Sequence, residues 1–185
     1  MVHRQQDRDG LGDSFLELKL HLGCGGWPIK KGNWVNIDYR YQPGVDIVDN
    51  IGTLSRYKKD TVDVIYCAHA LDHFDRHTYP RVIDKWFELL KPGGIVQIAT
   101  PDFEVIVDLY KSGISVLDLT GSLYANQEYE NNVRHFIWDY DAGKQVLLNH
   151  GFENIRKFEP FHDDCSRAER HGSFTSLCIQ GTKPV

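Results

Sequence analysis

The chain reads as short apolar runs separated by polar punctuation. Residues 16–22 alternate apolar and polar side chains and then meet Gly23-Cys24-Gly25-Gly26, which predicts a first strand ending in a tight glycine turn. A second strand is expected over 34–37, stopped by Asp38, and a third over 45–48. A fourth follows over 62–68, where β-branched and aromatic residues concentrate. Between Arg76 and Leu90, the residues Val82, Ile83, Trp86, Phe87, Leu89 and Leu90 recur at helical spacing, and Lys91-Pro92-Gly93-Gly94 closes that helix. Residues 95–99 predict a fifth strand. Thr100-Pro101-Asp102 reads as an N-cap followed by proline at the first helical position, so 103–110 should be helical.

From Ile114 to Trp138 the periodicity fails and polar residues accumulate, so the stretch reads as an insertion with broken helical pieces rather than as core. A helix resumes near Asp139 and ends at Gly151, a natural C-terminal cap. Two strands, over 152–158 and 175–181, close the chain around a polar loop. Strands alternating with helices imply right-handed crossovers and a mostly parallel sheet, an α/β fold. If 152–158 runs with the other strands, 175–181 returns antiparallel and the loop between them lands on the rim at the strands' carboxyl ends.

Length and composition change this picture little. A chain of 185 residues, 41% hydrophobic and 25% charged, suits one globular unit, with 1–14 as a polar N-terminal tail and 15–185 as a single domain. The net charge of −5, with no basic stripe, argues against nucleic acid as a partner. No apolar run approaches the roughly 20 residues of a membrane span, and the N-terminus has no export signal. Four scattered cysteines without a C-x-x-C pair fit neither a zinc site nor a disulfide framework, which suits a cytoplasmic protein with reduced thiols. Cys24 and Cys67 read as small buried hydrophobes.

In open α/β sheets ligands bind outside the carboxyl ends of the strands, which selects the residues worth weighing. The glycines at 23–26 allow a backbone to approach a ligand closely. A dinucleotide fingerprint needs a third glycine at position 28, where Pro28 stands, so a nicotinamide-dependent oxidoreductase is disfavoured. Asp38 ends the second strand, where a carboxylate can accept both hydroxyls of a ribose, although it also suits a plain turn. His69, His73 and His77 recur every four residues and on one helix would suit zinc. The run begins at a strand end, however, and no bound metal is expected.

Five stretches then appear in one order: Leu20-His21-Leu22-Gly23-Cys24-Gly25, Val35-Asn36-Ile37-Asp38, His69-Ala70-Leu71-Asp72-His73-Phe74, Leu90-Lys91-Pro92-Gly93-Gly94 and Gly151-Phe152. Together they resemble the class I S-adenosylmethionine-dependent methyltransferases, in particular a small methyltransferase type 11-like group. The resemblance implies a Rossmann-like sheet, mostly parallel with an antiparallel last strand, and S-adenosylmethionine as cofactor. It implies Gly23, Cys24 and Gly25 beside the methionine moiety, Asp38 on the ribose and Tyr39 near the adenine. It also implies Asp49 or Asn50 facing the adenine amino group, with Ala68 and His69 flanking the amino-acid end. Two departures stand out. The family's H-x-L-E-H reads His69-Ala70-Leu71-Asp72-His73 here, and the crossover from Gly25 to Trp34 is too short for a full helix.

The activity implied is methyl transfer, chiefly to oxygen, on a small hydroxylated acceptor such as a sugar or a glycan intermediate. The insertion at 114–138 would cover the acceptor site, its aromatic-rich part serving either as lid or as ordinary core. A hydroxyl acceptor calls for a general base, and His135 is expected in that role, with His69 beside the cofactor as the second catalytic histidine. In the loop 159–173, Asp163 or Asp164 would accept hydrogen bonds from acceptor hydroxyls, and Arg167 or Arg170 would hold an anionic group. The alternative is a non-catalytic S-adenosylmethionine-binding subunit or scaffold. A homo-oligomer stays open.

Overall fold

A computed structural model describes residues 17–160 and 163–185. Leu16 and His162 thus lie outside the described residues, as does the tail expected over 1–14. The strands are β1 (Lys19–Leu22), β2 (Trp34–Asp38), β3 (Ile47–Val48), β4 (Val62–Ala68), β5 (Leu90–Pro101), β6 (Glu153–Lys157), β7 (Glu169–Arg170), β8 (Ser173–Phe174) and β9 (Ser176–Thr182). The helices are α1 (Tyr79–Leu89), α2 (Phe103–Lys111), α3 (Thr120–Tyr124) and α4 (Tyr140–Asn149). Seven strands form one sheet in the order β3-β2-β1-β4-β5-β9-β6, and β7 and β8 form a separate hairpin. The first five strands pair parallel, and β9 is inserted antiparallel between β5 and β6. The fold is α/β as expected, and β6 runs with the first five strands.

The two faces of the sheet differ. Leu20, Leu22, Ile37, Ile65, Cys67, Val96, Ile98, Leu177 and Ile179 project to one face and pack with Trp86 of α1, Leu147 of α4 and Phe152 into the main core. The period of two along each strand sends the alternate residues to the other face, where Tyr66, Ala68, Ala99 and Cys178 pack against Ile29, Trp34, Phe158 and Cys165. No α-helix residue belongs to this second cluster among the described residues; a single 3-10 turn, Cys165–Arg167, packs there. The short crossover after β1 is held instead by the Asn36 side chain, whose Oδ1 accepts from Ile29 N–H at 2.7 Å while its Nδ2 donates to Ile29 O at 3.1 Å. The same Oδ1 meets His21 Nδ1 at 3.1 Å, and Tyr66 donates its hydroxyl proton to Asp164 at 2.6 Å. Polar groups buried beneath loops are thus satisfied in pairs.

Several boundaries differ from the sequence expectation. Thr100 is not an N-cap: β5 continues through Pro101, and Asp102 caps α2 by accepting Glu104 N–H at 3.0 Å. The first helix begins at Tyr79, because the Asp75 carboxylate accepts the N–H groups of His77 and Thr78 and holds a turn before it. Lys91-Pro92-Gly93-Gly94 lies within β5, where Gly93 N–H donates to Lys183 O and Lys183 N–H to Gly94 O. The insertion is not wholly outside the core: Leu119 packs with Ile106 and Leu109, and Trp138 joins the main cluster.

Candidate active site

At the carboxyl end of β1 the chain turns sharply. Gly23 has φ +70° and a Cβ there would stand 2.2 Å from the Ala70 Cβ, so close packing demands glycine. Gly25 has φ +51° and its missing Cβ would face nothing within 4 Å, which leaves open space beside the backbone. Asp38, buried at the end of β2, accepts Gly25 N–H through Oδ2 at 2.8 Å and Arg40 N–H through Oδ1 at 2.9 Å. Each oxygen keeps a second lone pair.

Two clefts open from this turn. The first, about 360 Å³, is lined by Asp38, Tyr39, Asn50, Ile51 and Phe74 among others. The second, about 370 Å³, is lined by Cys24, Trp27, Ala68, Ser122, Arg134 and Arg170 among others. They share Gly23, Gly25, Arg40, His69, His73 and Tyr129. All of these residues lie at the carboxyl edge of the parallel strands or on segments folded over it, where the sheet topology places ligands.

His69 follows β4 with φ +50°, a conformation that costs energy for a non-glycine residue. Its backbone N–H donates to Ala99 O at 2.8 Å and its Nε2 is hydrogen-bonded to Ser176 Oγ at 2.8 Å. Nδ1 is shut off from solvent and has no partner. Burial pushes the imidazole down to about 4, so it is neutral at ordinary pH. Burial likewise pushes the Cys24 thiol up to about 12, which leaves it an inert hydrophobe. His73 Nδ1 is hydrogen-bonded to Val133 O at 3.1 Å.

The segment after α3 is fastened over the clefts. Arg134 pairs with the fully buried Asp72 through Nε and donates to Gly121 O and Ser122 O at 3.0 and 2.6 Å. His135 N–H donates to Asp72 O at 2.8 Å. Farther along, the Arg40 guanidinium lies 3.5 Å from the Tyr129 ring centroid, and the Tyr39 hydroxyl donates to Glu130 O at 3.4 Å.

The structure therefore brings together Gly23, Cys24, Gly25, Asp38, Tyr39, Asn50, Ala68 and His69. It does not bring Asp49 in, since that carboxylate faces Arg56 at 3.4 Å and accepts Asn50 N–H. Nor does it bring in His135, whose exposed side chain lines neither cleft. The loop before β9 does reach the rim through Cys165, Ala168 and Arg170. Asp164, however, is buried against Tyr66 and Ser166, Asp163 lines neither cleft, and Arg167 donates to Pro160 O. Among the described residues no group of three metal-binding side chains forms, so His69, His73 and His77 do not converge. Sequence reasoning missed Arg40, Trp27, Tyr129 and the pairing of Asp72 with Arg134. Arg40 was within reach, two residues beyond the strand-ending acid, whereas the ion pair spans 62 residues and has no local signal.

Residues 20–174 match the family described as a methyltransferase domain. The chain belongs to this family. With membership come the class I fold and S-adenosylmethionine as cofactor. Among solved structures, an S-adenosylmethionine-dependent methyltransferase from Archaeoglobus fulgidus is 12% identical with TM-score 0.59, over 91% of this chain and 87% of that one. The 1,6-didemethyltoxoflavin-N1-methyltransferase of Burkholderia thailandensis, solved with its substrate and S-adenosylhomocysteine, is 10% identical with TM-score 0.59, over 91% and 71%. A Haloferax volcanii methyltransferase complex with the Trm112 activator is 14% identical with TM-score 0.56, over 92% and 83%. No curated protein matches the sequence. Among the described residues no helix is long and apolar enough to cross a membrane.

Proposed function

We propose that this methyltransferase transfers a methyl group to an oxygen of a small hydroxylated acceptor, such as a sugar or glycan intermediate, in the cytoplasm. The observation that carries this reading is the pair of joined clefts: one bounded by Asp38 and the glycine turn, the other polar and sized for a small molecule, with His69 lining both. The residues fit the cofactor. Gly25 leaves room for it, the free lone pairs of Asp38 suit ribose hydroxyls, and Tyr39, Asn50 and Ile51 bound the adenine end. Gly23, Cys24, Ala68 and His69 would hold the methionine end.

The cofactor supplies an activated methyl group on a sulfonium, ready for in-line displacement. The protein's part is alignment, exclusion of water and removal of one proton. His69 is the base in this reading, in place of His135. For a ring nitrogen to take the acceptor's hydroxyl proton, the imidazole must turn from Ser176 towards the cleft, because Nδ1 as it stands is shut off from solvent. Tyr129 and Asn131 cover the first cleft and shield it from water.

Calorimetry with S-adenosylhomocysteine tests the cofactor half. The wild type should bind, and Asp38→Ala should weaken binding by about tenfold or more through loss of charge-assisted hydrogen bonds. Equal affinity in the variant overturns the assignment of the ribose. Turnover with a panel of hydroxylated acceptors separates an enzyme from a binding-only subunit.

A further inference from the structure

The second cleft holds more positive charge than the rest of the chain prepares for. The protein as a whole carries a net charge of −5, yet this cleft is lined by Arg40, Arg134 and Arg170 against one carboxylate, Glu128. Arg134 is spent on Asp72 and two carbonyls. Arg40 lies on Tyr129 with its Nε buried and without a partner. The Arg170 side chain, on β7, makes no ion pair or hydrogen bond with any described residue. Its Nη2 reaches to 3.5 Å from the point where a Cβ at Gly121 would stand, and Asn126 Oδ1 lies 3.6 Å from the same point. The guanidinium thus lies against the Gly121 side of α3.

Trp27 also lines this cleft, directly after the glycine turn, with 58% of its surface exposed. An exposed indole offers a flat apolar face to a ring. A guanidinium offers a planar fork of donors matched to a carboxylate or phosphate, and a carboxylate-poor cleft raises its pull on anions.

We propose that Arg170 binds an anionic group of the acceptor while Trp27 packs against the acceptor's ring. The acceptor is then an acidic or phosphorylated sugar rather than a neutral one. This inference rests on the methyltransferase reading above, since it takes the second cleft as the acceptor site. One other carboxylate is available to the same cleft, that of the cofactor's own amino-acid end, because Cys24, Gly25 and Gly26 line it too.

The test uses wild type, Arg170→Gln and Trp27→Ala, each checked for folding by thermal melting. First, S-adenosylhomocysteine is compared with 5′-methylthioadenosine, which lacks the carboxylate. Second, protein saturated with S-adenosylhomocysteine is titrated by NMR with glucose, glucuronate and glucose 6-phosphate. Arg170→Gln should bind both nucleosides as the wild type does. At least one charged sugar should bind the wild type about tenfold more tightly than glucose and lose that advantage in Arg170→Gln. Trp27→Ala should weaken charged and neutral sugars alike. Loss of S-adenosylhomocysteine affinity in Arg170→Gln with methylthioadenosine unaffected assigns the arginine to the cofactor and overturns the proposal. Failure of both charged sugars to bind, or equal binding by Arg170→Gln, overturns it as well. Failure of the wild type to bind either nucleoside strikes instead at the methyltransferase reading.

Discussion

The two clefts share a wall but are built differently. The first rests on strand ends and backbone: a glycine turn, the Asp38 carboxylate that braces it, and Asn50, whose Oδ1 accepts Gly52 N–H at 2.8 Å. Apart from Tyr129 and Asn131 of the covering segment, its lining comes from residues 23–74, and its Asp38 and Asn50 side chains are tied to main chain. The second is assembled from side chains of the turn after β1, the end of β4, α3, the covering segment and the β7–β8 hairpin, with Ser122 Oγ buried and without a partner among the described residues. A cleft founded on a tethered glycine turn is set for one ligand, whereas one made of side chains from several distant segments is open to change. Within one family, the first suits a shared cofactor and the second a variable acceptor.

That contrast breaks most sharply at the ion pair supporting the second cleft. Arg134→Ala leaves the Asp72 carboxylate charged and buried, and should cost about 3–5 kcal/mol in chemical denaturation. Combining Asp72→Asn with Arg134→Gln should recover part of the loss. If Arg134→Ala is as stable as wild type, the covering segment is held by something other than this pair.

The catalytic role of the shared wall is the next largest effect. Once an acceptor is known, His69→Ala should slow methyl transfer by about a hundredfold or more while S-adenosylhomocysteine affinity holds, since general bases are commonly worth that much. An unaltered single-turnover rate removes His69 as the base.

Acid should act on the same wall. Burial lowers the affinity of His69 and of His21 for a proton below that of a free histidine near 6.5. The unfolded chain therefore takes up protons that the folded protein refuses, so stability is full above about pH 6.5 and declines as pH falls towards 4. Melting temperature followed across that window should drop, and His69→Gln should flatten the slope. A flat profile in the wild type contradicts the burial of these rings. The smallest effect belongs to His135→Ala, which should leave the transfer rate unchanged because the side chain lines neither cleft. A large loss there would restore it as the base.

How legible this was follows from where each feature's causes lie. The glycine turn, Asp38 and the main strands could be read because each depends on residues within a few positions: alternation makes a strand, and a strand-ending acid marks an edge. Thr100 and Pro101 misled because a cap and a strand end look alike locally, and only pairing with β9 carries β5 through Pro101. Asp164 misled for a related reason. An acid in a polar loop reads as exposed until Tyr66 of β4, 98 residues away, is found to donate to it.

By itself the sequence determined the α/β class and a mostly parallel sheet, which follow from short-range pattern, while the motifs it shares with a known family pointed to the family and the cofactor. Only the tertiary structure decided which histidine faces the clefts, which of Asp49 and Asn50 turns away, and which arginine side chain is left without a partner. Those outcomes depend on the direction in which a side chain leaves the backbone and on what else has already claimed its hydrogen bonds. Neither quantity is written in neighbouring residues, because a folded chain satisfies its buried polar groups with partners that are distant in sequence.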